Sequence, residues 1–238
     1  SSRSCSRPIA YAYNREFNEN FILISMDDSS VCLFDYLQDD WKVKQVLPFK
    51  ARLVLIIIGT EFLNWIVCCC GFYGDVAFYK FGSWTPLSRL SVGLKQCDFA
   101  FWSKKDDILI VLSEDRLNII GLKRFNLINW HPFRTPKHAA FEEGELIVSY
   151  EKGVLYRSVI TPAGVDHTNK CNFGHNIVNV SLKYGCHIVV LSNNSIIIGD
   201  NQNMASSKIE LPFPIFSANF LSSDLDVLVA LDHEIMII

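Results

Sequence analysis

The sequence predicts an all-β fold built from repeated four-stranded sheets, and three observations support this prediction. First, a unit of two apolar runs joined by a tight polar turn recurs six times along the chain. Second, the units start at residues 21, 65, 108, 146, 188 and 227, so that successive starts lie 38 to 44 residues apart. Third, no window shows the i, i+3, i+4, i+7 spacing of apolar residues that an amphipathic helix requires. Four-stranded units of this length are typical of β-propeller blades.

Each unit is a predicted β-hairpin, because residues that tolerate tight or left-handed turns lie between two runs rich in Val, Ile, Leu, Phe and Tyr. The hairpins span residues 21–36, 65–80, 108–121, 146–157, 188–199 and 227–238. Their turns are Asp27-Asp28, Gly74-Asp75, Glu114-Asp115, Lys152-Gly153, Asn193-Asn194 and Asp232-His233.

Further strands are predicted on both sides of the hairpins. Shorter apolar stretches precede them at residues 9–13, 53–58, 98–102, 138–141, 177–182 and 216–221. More polar stretches follow most of them at residues 41–47, 85–92, 125–130, 167–173 and 208–211. Within each predicted sheet the two middle strands are the most apolar, as expected of strands that neighbouring blades bury on both faces.

Three of the outer stretches end in a similar way, at Leu47-Pro48-Phe49, His131-Pro132-Phe133 and Leu211-Pro212-Phe213. Because proline cannot donate to a strand ladder, it suits the exit from an edge strand. We expect the phenylalanine after each proline to turn back into the space between adjacent sheets.

The units fill the 238 residues without a linker, so a single propeller domain is expected over residues 1–238. The predicted blades are residues 9–49, 53–92, 96–133, 138–173, 176–213 and the incomplete 215–238. The last unit has room for three strands only. We expect the ring to be completed by sequence outside this chain, as in a seven-bladed or larger propeller protein, or by a partner chain.

The first repeat carries a resemblance to a known family. Its segment Ser25-Met-Asp-Asp-Ser-Ser-Val-Cys-Leu-Phe34-Asp35 resembles the S-x-D-x-T-hydrophobic-x-hydrophobic-W-D tail of WD40-type β-propellers, with Phe34 in place of Trp. The segment 74–79 is a weaker match, and the other repeats match in pattern only. The chain therefore resembles a degenerate WD40-type propeller, which implies a rigid platform for partner binding.

Composition excludes some classes of protein. Half of the residues are apolar and 20% are charged, which excludes a disordered chain, and the net charge of −3 gives no overall attraction to nucleic acid. The eight cysteines contain no C-x-x-C pair, so we expect free thiols in a reducing compartment, cytoplasmic or nuclear. The longest apolar run, Leu53–Ile58, is far shorter than the ~20 residues of a membrane span.

The sequence offers little catalytic chemistry. Adjacent acids occur at Asp27/Asp28, Asp39/Asp40, Asp106/Asp107 and Glu142/Glu143, all at predicted turns where solvated carboxylates are common. His167, Cys171 and His175 lack the paired spacing of a zinc site. Neither a nucleophile elbow nor a phosphate-binding loop is present. We therefore predict a non-enzyme with no catalytic, cofactor-binding or metal-binding residues.

Partner-binding candidates are aromatic and basic. Trp41, Trp84 and Trp130 lie in or near the outer strand of a unit, and an exposed Trp there suits a protein interface. Blade-connecting loops gather on one rim of a propeller, so we expect Lys50, Arg52, Arg134 and Lys137 to share a face. Other basic pairs, at Lys104-Lys105 and Lys123-Arg124, are scattered along the chain.

We expect a non-catalytic scaffold that holds other protein subunits in an intracellular complex, because rigid rim loops bind partners with little ordering cost. An alternative is an accessory propeller of an RNA- or tRNA-modifying complex, which would need a contiguous basic face. A propeller hydrolase is the third hypothesis, and it would need carboxylates or a metal converging in a central channel.

Overall fold

The computed structural model of the chain describes residues 7–12, 21–37, 40–58, 65–71, 74–93, 96–113, 115–134, 136–221, 226–232 and 234–238. In these residues it contains β-strands and one short 3₁₀ turn, and no α-helix. The chain divides into two compact units, Ser1–Phe133 and Arg134–Ile238. Tyr13, Asp39, Glu114 and His233, which belong to predicted strands or turns, lie outside the described residues.

The first unit contains three antiparallel sheets, each with four strands in chain order. The first sheet consists of β1 (Pro8–Ala12), β2 (Phe21–Met26), β3 (Ser30–Leu37) and β4 (Asp40–Lys50). The second consists of β5 (Leu53–Ile58), β6 (Trp65–Cys70), β7 (Asp75–Lys80) and β8 (Pro86–Ser91). The third consists of β9 (Cys97–Ser103), β10 (Ile108–Ser113), β11 (Arg116–Gly121) and β12 (Asn126–Pro132).

The second unit also contains three antiparallel sheets. The fourth sheet consists of β13 (His138–Glu142), β14 (Glu145–Ser149), β15 (Val154–Thr161) and β16 (Gly164–Asn172), with the 3₁₀ turn Glu151–Gly153 before β15. The fifth consists of β17 (Ile177–Lys183), β18 (Cys186–Leu191), β19 (Ser195–Gly199) and β20 (Ser207–Glu210). The sixth consists of β21 (Ile215–Phe220), β22 (Val227–Leu231) and β23 (Ile235–Ile237).

The strands follow the apolar runs of the sequence closely. Five sheets have the four strands of a complete blade. The sixth predicted unit forms three strands in the residues described, so the structure has five complete blades and not six. Each hairpin places a strand beside its chain neighbour, which is the simplest antiparallel connection.

The cores lie between successive sheets within each unit. All six residues of β10 are buried, and Leu109 and Val111 pack with Val76 and Phe78 of the second sheet. In the second unit, Val190 of the fifth sheet packs in the same way with the sixth sheet. Inner strands are covered on both faces, which explains why their sequences are continuously apolar. Each fully buried leucine contributes about 2 kcal/mol to folding.

The proline and phenylalanine prediction is partly wrong. Phe49 is buried and stacks on Tyr79 of the second sheet with ring centroids 4.1 Å apart, and Phe133 is buried as well. Phe213 is 52% exposed, because the chain bends at residues 212 and 213 after the short strand β20. Pro48 lies inside β4 and not at its exit, which the ladder tolerates because β4 is an edge strand.

Five of the cysteines are free thiols in the described residues, as predicted. Cys32, Cys70 and Cys97 are buried, and Cys171 and Cys186 are half-buried. Hydrogen bonding to Cys70 and burial together raise the pKa of the Cys97 thiol far above its usual range. This thiol is protonated at physiological pH and behaves as a core residue.

Candidate partner-binding site

The outer strand of the first sheet exposes large apolar side chains. Trp41 is 46% exposed, and Val43 and Val46 on the same strand are 54% and 60% exposed. The ring of Trp41 lies 5.2 Å from the ring of Tyr36, its cross-strand partner on β3. This pair fixes the position of the indole ring and leaves about half of its surface open to a partner.

Trp84 occupies a different environment from Trp41. Its Nε1 donates a hydrogen bond to Oε1 of Gln45 at 3.2 Å, and its ring meets Phe81 edge-on at 5.1 Å. It packs against the core shared by the first and second sheets, and its φ of 55° lies in the left-handed region. Most of the surface of Trp84 is therefore covered by packing between the first and second sheets.

Trp130 lies on β12, the outer strand of the third sheet, and is 51% exposed. The guanidinium carbon of Arg116 lies 5.3 Å from the ring centroid, a distance at which a cation interacts with an indole face. Leu127 and Ile128 of the same strand are 40% and 44% exposed. Ile128 has no partner residue in the pairing of β12 with β11, which forms a bulge there. Its side chain packs over Gly121 so closely that a Cβ at that position would overlap it.

The four basic residues predicted to share a rim have different surroundings. Lys50 and Arg134 are exposed. Arg52 forms an ion pair of 3.6 Å with Asp98, and Lys137 one of 3.3 Å with Glu151. Lys50 and Arg52 belong to the first unit, and Arg134 and Lys137 to the second. Their common face stays a prediction.

The third sheet brings together two basic pairs that are separated in the sequence. The β9–β10 turn carries Lys104 and Lys105, and the β11–β12 turn carries Lys123 and Arg124. Both turns lie at one end of the sheet, because the backbone N–H of Leu122 donates to the carbonyl oxygen of Asp107 at 3.1 Å. All four basic side chains are exposed.

Sequence reasoning missed this basic cluster because each pair alone is unremarkable. The strand order alone predicts this cluster, since the first and third turns of a four-stranded antiparallel meander always lie at the same end of the sheet. The connection from β12 to the next sheet lies at the opposite end, where the N–H of Phe133 donates to the carbonyl oxygen of Asp115 at 2.9 Å.

Some of the adjacent acids are turn residues, whereas Asp40 lies in β4 and Glu142 lies in β13, where its Oε2 accepts a hydrogen bond from the backbone N–H of Tyr184. Asp28 Oδ1 accepts hydrogen bonds from the backbone N–H and the hydroxyl of Ser30, at 2.9 and 2.6 Å. Asp106 Oδ2 accepts one from the hydroxyl of Ser103 at 3.0 Å. In the residues described, no group of three or more His, Cys, Asp or Glu side chains is placed to hold a metal ion.

A buried polar network in the second unit was also missed by sequence reasoning. Arg157 on β15 is 1% exposed, and its Nη2 donates to Glu145 Oε2 on β14 and, at 2.8 Å, to the carbonyl oxygen of Gly185. Its Nη1 lies 3.2 Å from Nδ1 of the fully buried His187 on β18. The network joins the fourth sheet to the fifth.

The protonation state of His187 follows from these contacts. Because a guanidinium only donates, Nδ1 of His187 must accept, and Nε2 then carries the proton and donates to the carbonyl oxygen of Met204 at 3.0 Å. Burial lowers the pKa of His187 below its ordinary value of 6.5, and the charge of Arg157 lowers it further. The hydrogen bond to Met204 and the carboxylates of Asp200 and Glu145 oppose this shift. His187 is therefore a neutral structural residue.

The chain has no membrane-spanning helix in the residues that the structure describes, since none of its helices is long and apolar enough to cross a bilayer.

Solved structures with the same fold are β-propellers. Hsv2 from Kluyveromyces marxianus matches with a TM-score of 0.72 and 13% identity, covering 98% of this chain and 72% of that one. Hsv2 from Kluyveromyces lactis matches with a TM-score of 0.66 and 13% identity over 96% of this chain and 72% of that one. The β-propeller domain of Cps50 (Swd1) from Myceliophteria thermophila matches with a TM-score of 0.71 and 11% identity, over 94% and 79%.

At these identities the structural matches establish the fold alone. They confirm the β-propeller predicted from the repeats, and the resemblance to degenerate WD40-type propellers is a resemblance of fold. No protein-family model matches the sequence, and no curated protein sequence matches it significantly.

Proposed function

We propose that this protein is a non-catalytic β-propeller scaffold that binds other proteins in an intracellular complex. The observation that carries the proposal is the half-exposed aromatic and aliphatic surface on two outer strands. β4 contributes Trp41, Val43 and Val46, and β12 contributes Leu127, Ile128 and Trp130. Half-exposed tryptophan on a rigid element is a common anchor of protein interfaces.

The rigidity of the supporting sheets favours binding. β4 and β12 are held on one side by their own sheets, whose inner strands are buried. Because such a surface is already ordered, binding of a partner costs little conformational entropy, and the favourable contacts are less offset in the free energy of binding. The Trp41–Tyr36 and Trp130–Arg116 contacts fix the two indole rings in the same way.

The sixth sheet has an unprotected edge in the residues described. β23 pairs with β22 alone there, and Ile235 and Ile237 are 69% and 63% exposed. Outer strands that face solvent are usually protected by charge, proline or a bulge, as Pro132 and the bulge protect β12. β23 has none of these features, which suits an edge that pairs with a further strand.

Two rival functions receive less support. An RNA-linked subunit would need a contiguous basic face with aromatic rings for base stacking. Arg52 and Lys137 of the predicted rim are paired with carboxylates, and the four cations of the third sheet adjoin the aliphatic Leu127 and Ile128. A propeller hydrolase would need converging carboxylates, whereas Asp28 and Asp106 are engaged in turn hydrogen bonds.

Affinity purification of the tagged native protein with quantitative mass spectrometry tests the scaffold function. We compare the wild type with the double variant Trp41→Ala, Trp130→Ala, which removes both indole anchors. We expect the recovery of specific partner proteins to fall at least about tenfold, because truncation of an anchor residue typically costs 2 kcal/mol or more.

A matched control removes two exposed aromatic side chains elsewhere. Tyr184 and Phe213 are 59% and 52% exposed and lie in the second unit. The control variant Tyr184→Ala, Phe213→Ala should recover the same partners as the wild type. Recovery of the bait alone from wild-type cells would exclude the scaffold function.

A further inference from the structure

The end of the third sheet at the β9–β10 and β11–β12 turns carries a cluster of charged side chains that sequence reasoning overlooked. Four exposed basic side chains lie on these turns: Lys104, Lys105, Lys123 and Arg124. The register brings the turns together, since Ile108 pairs with both Ser103 and Gly121, and Gly121 pairs with Asn126. The four cations therefore belong to one surface and not to two.

The acids in the same turns are less accessible than the cations. Asp106 and Asp107 are half-buried, and Asp106 accepts a hydrogen bond from Ser103 at the foot of the turn. The four basic side chains on these turns are exposed, against two half-buried carboxylates. The surface offered to a partner is consequently positive although the whole chain carries a net charge of −3.

Apolar surface adjoins the basic turns along β12. Leu127 is the second residue of β12 after the turn, Ile128 comes next, and Trp130 lies further along the strand. Leu127 and Ile128 are aliphatic and are 40% and 44% exposed. In a regular strand successive side chains point to opposite faces, and the bulge at Ile128 lets both of them face solvent. Aliphatic side chains offer contact area to other side chains but no stacking surface to nucleic-acid bases, and the guanidinium of Arg116 lies over one face of the Trp130 ring.

We infer that this surface binds an acidic segment of a partner protein that also carries aliphatic side chains. Carboxylates of the segment pair with Lys104, Lys105, Lys123 and Arg124, and its aliphatic residues cover Leu127 and Ile128. The inference rests on the proposed scaffold function and names the chemistry of one partner. Charge complementarity selects an acidic segment, and the aliphatic strand selects a peptide over RNA.

Direct binding with purified full-length protein tests the inference. The probe is a fluorescein-labelled peptide of alternating glutamate and valine, followed by fluorescence anisotropy. Comparison probes are polyglutamate, a peptide of alternating lysine and valine, and oligouridylate. We expect the glutamate–valine peptide to bind more tightly than the other three, with an affinity that falls as the ionic strength rises from about 0.05 to about 0.5 M.

Charge reversal locates the binding surface. The variants Lys104→Glu, Lys105→Glu and Lys123→Glu, Arg124→Glu should each weaken binding about tenfold, because each replaces two attractions with two repulsions. The control Lys170→Glu, Lys208→Glu makes the same change in net charge at exposed positions of β16 and β20 and should alter affinity by no more than about twofold. The double variant Leu127→Ser, Ile128→Ser should weaken binding of the glutamate–valine peptide and leave binding of polyglutamate unchanged.

Several results would overturn the inference. They are an equal loss in the Lys170→Glu, Lys208→Glu control, tighter binding of oligouridylate, or no binding of the glutamate–valine peptide. Each of these leaves the scaffold function standing if Trp41→Ala, Trp130→Ala still loses its partners in affinity purification. The two proposals can therefore fail separately.

Discussion

Arg157 donates from Nη1 to Nδ1 of His187 across 3.2 Å, and both side chains are buried. The two residues lie 30 positions apart and belong to successive sheets of the second unit. With Glu145 and the carbonyl oxygen of Gly185, they form a buried polar network that joins the fourth sheet to the fifth.

Replacement of Arg157 tests the contribution of this network. Arg157→Leu leaves the carboxylate of Glu145 and Nδ1 of His187 without their donor, so the free energy of unfolding should fall by about 3 to 5 kcal/mol. Urea denaturation followed by circular dichroism measures the change. The control Lys137→Met breaks the exposed pair with Glu151 and should cost less than about 1 kcal/mol. Equal losses would show that the buried network has no special role.

Acid should weaken the second unit through His187. Its pKa in the folded protein lies below the ordinary 6.5, so the unfolded chain binds the proton more readily. The stability contributed by the neutral imidazole is therefore present above pH 6.5 and is lost as the pH falls below that value. His138, whose pKa is also lowered by burial, acts in the same direction.

Urea denaturation at a series of pH values checks this dependence. His187→Gln removes one titrating group, so its free energy of unfolding should change less between pH 7 and pH 5 than that of the wild type. An unchanged slope would mean that His187 does not titrate differently in the folded and unfolded states.

Two leucines of the third sheet give a matched test of the core. Leu109 is fully buried against the second sheet, and Leu127 is 40% exposed on β12. Leu109→Ala should lower the free energy of unfolding by about 3 kcal/mol through a cavity, whereas Leu127→Ala should cost about 0.5 kcal/mol or less. Similar values in thermal or chemical denaturation would contradict the packing of the second and third sheets.

Two glycines of the second unit separate backbone strain from steric overlap. Gly153 and Gly174 have φ values of +75° and +71°. A Cβ at Gly174 meets no neighbour, so Gly174→Ala should cost about 1 to 2 kcal/mol for its left-handed backbone. A Cβ at Gly153 would overlap the carbonyl oxygen of His175, so Gly153→Ala should be clearly more destabilising in the same assay.

The inner strands could be predicted because a strand that is buried on both faces has apolar residues at every position, which gives a continuous apolar run. β10, with six buried residues, is the clearest example, and β5 has the predicted limits of Leu53 and Ile58. Exposure of outer-strand residues was less predictable. Trp84 and Trp41 both lie near an outer strand, yet Trp84 packs between sheets because of a left-handed turn that its sequence does not reveal.

Contacts between distant positions were the hardest to predict. The pairing of Arg157 with His187 depends on the distance between two sheets, and no local pattern encodes it. Phe213 follows a proline as Phe49 does, but Phe49 stacks on Tyr79 whereas Phe213 is half-exposed. The clustering of the basic turns of the third sheet could have been predicted, since the strand order alone places both turns at one end of the sheet.

Cross-linking mass spectrometry of the protein purified with its partners tests the scaffold function most directly. Lys42 and Lys44 lie on β4, and Lys123 precedes β12, so lysine-reactive reagents report on both exposed strands. We predict that links to partner proteins concentrate on these lysines and spare Lys208 on β20. Links within the protein alone, or partner links confined to Lys208 and its surroundings, would contradict the account.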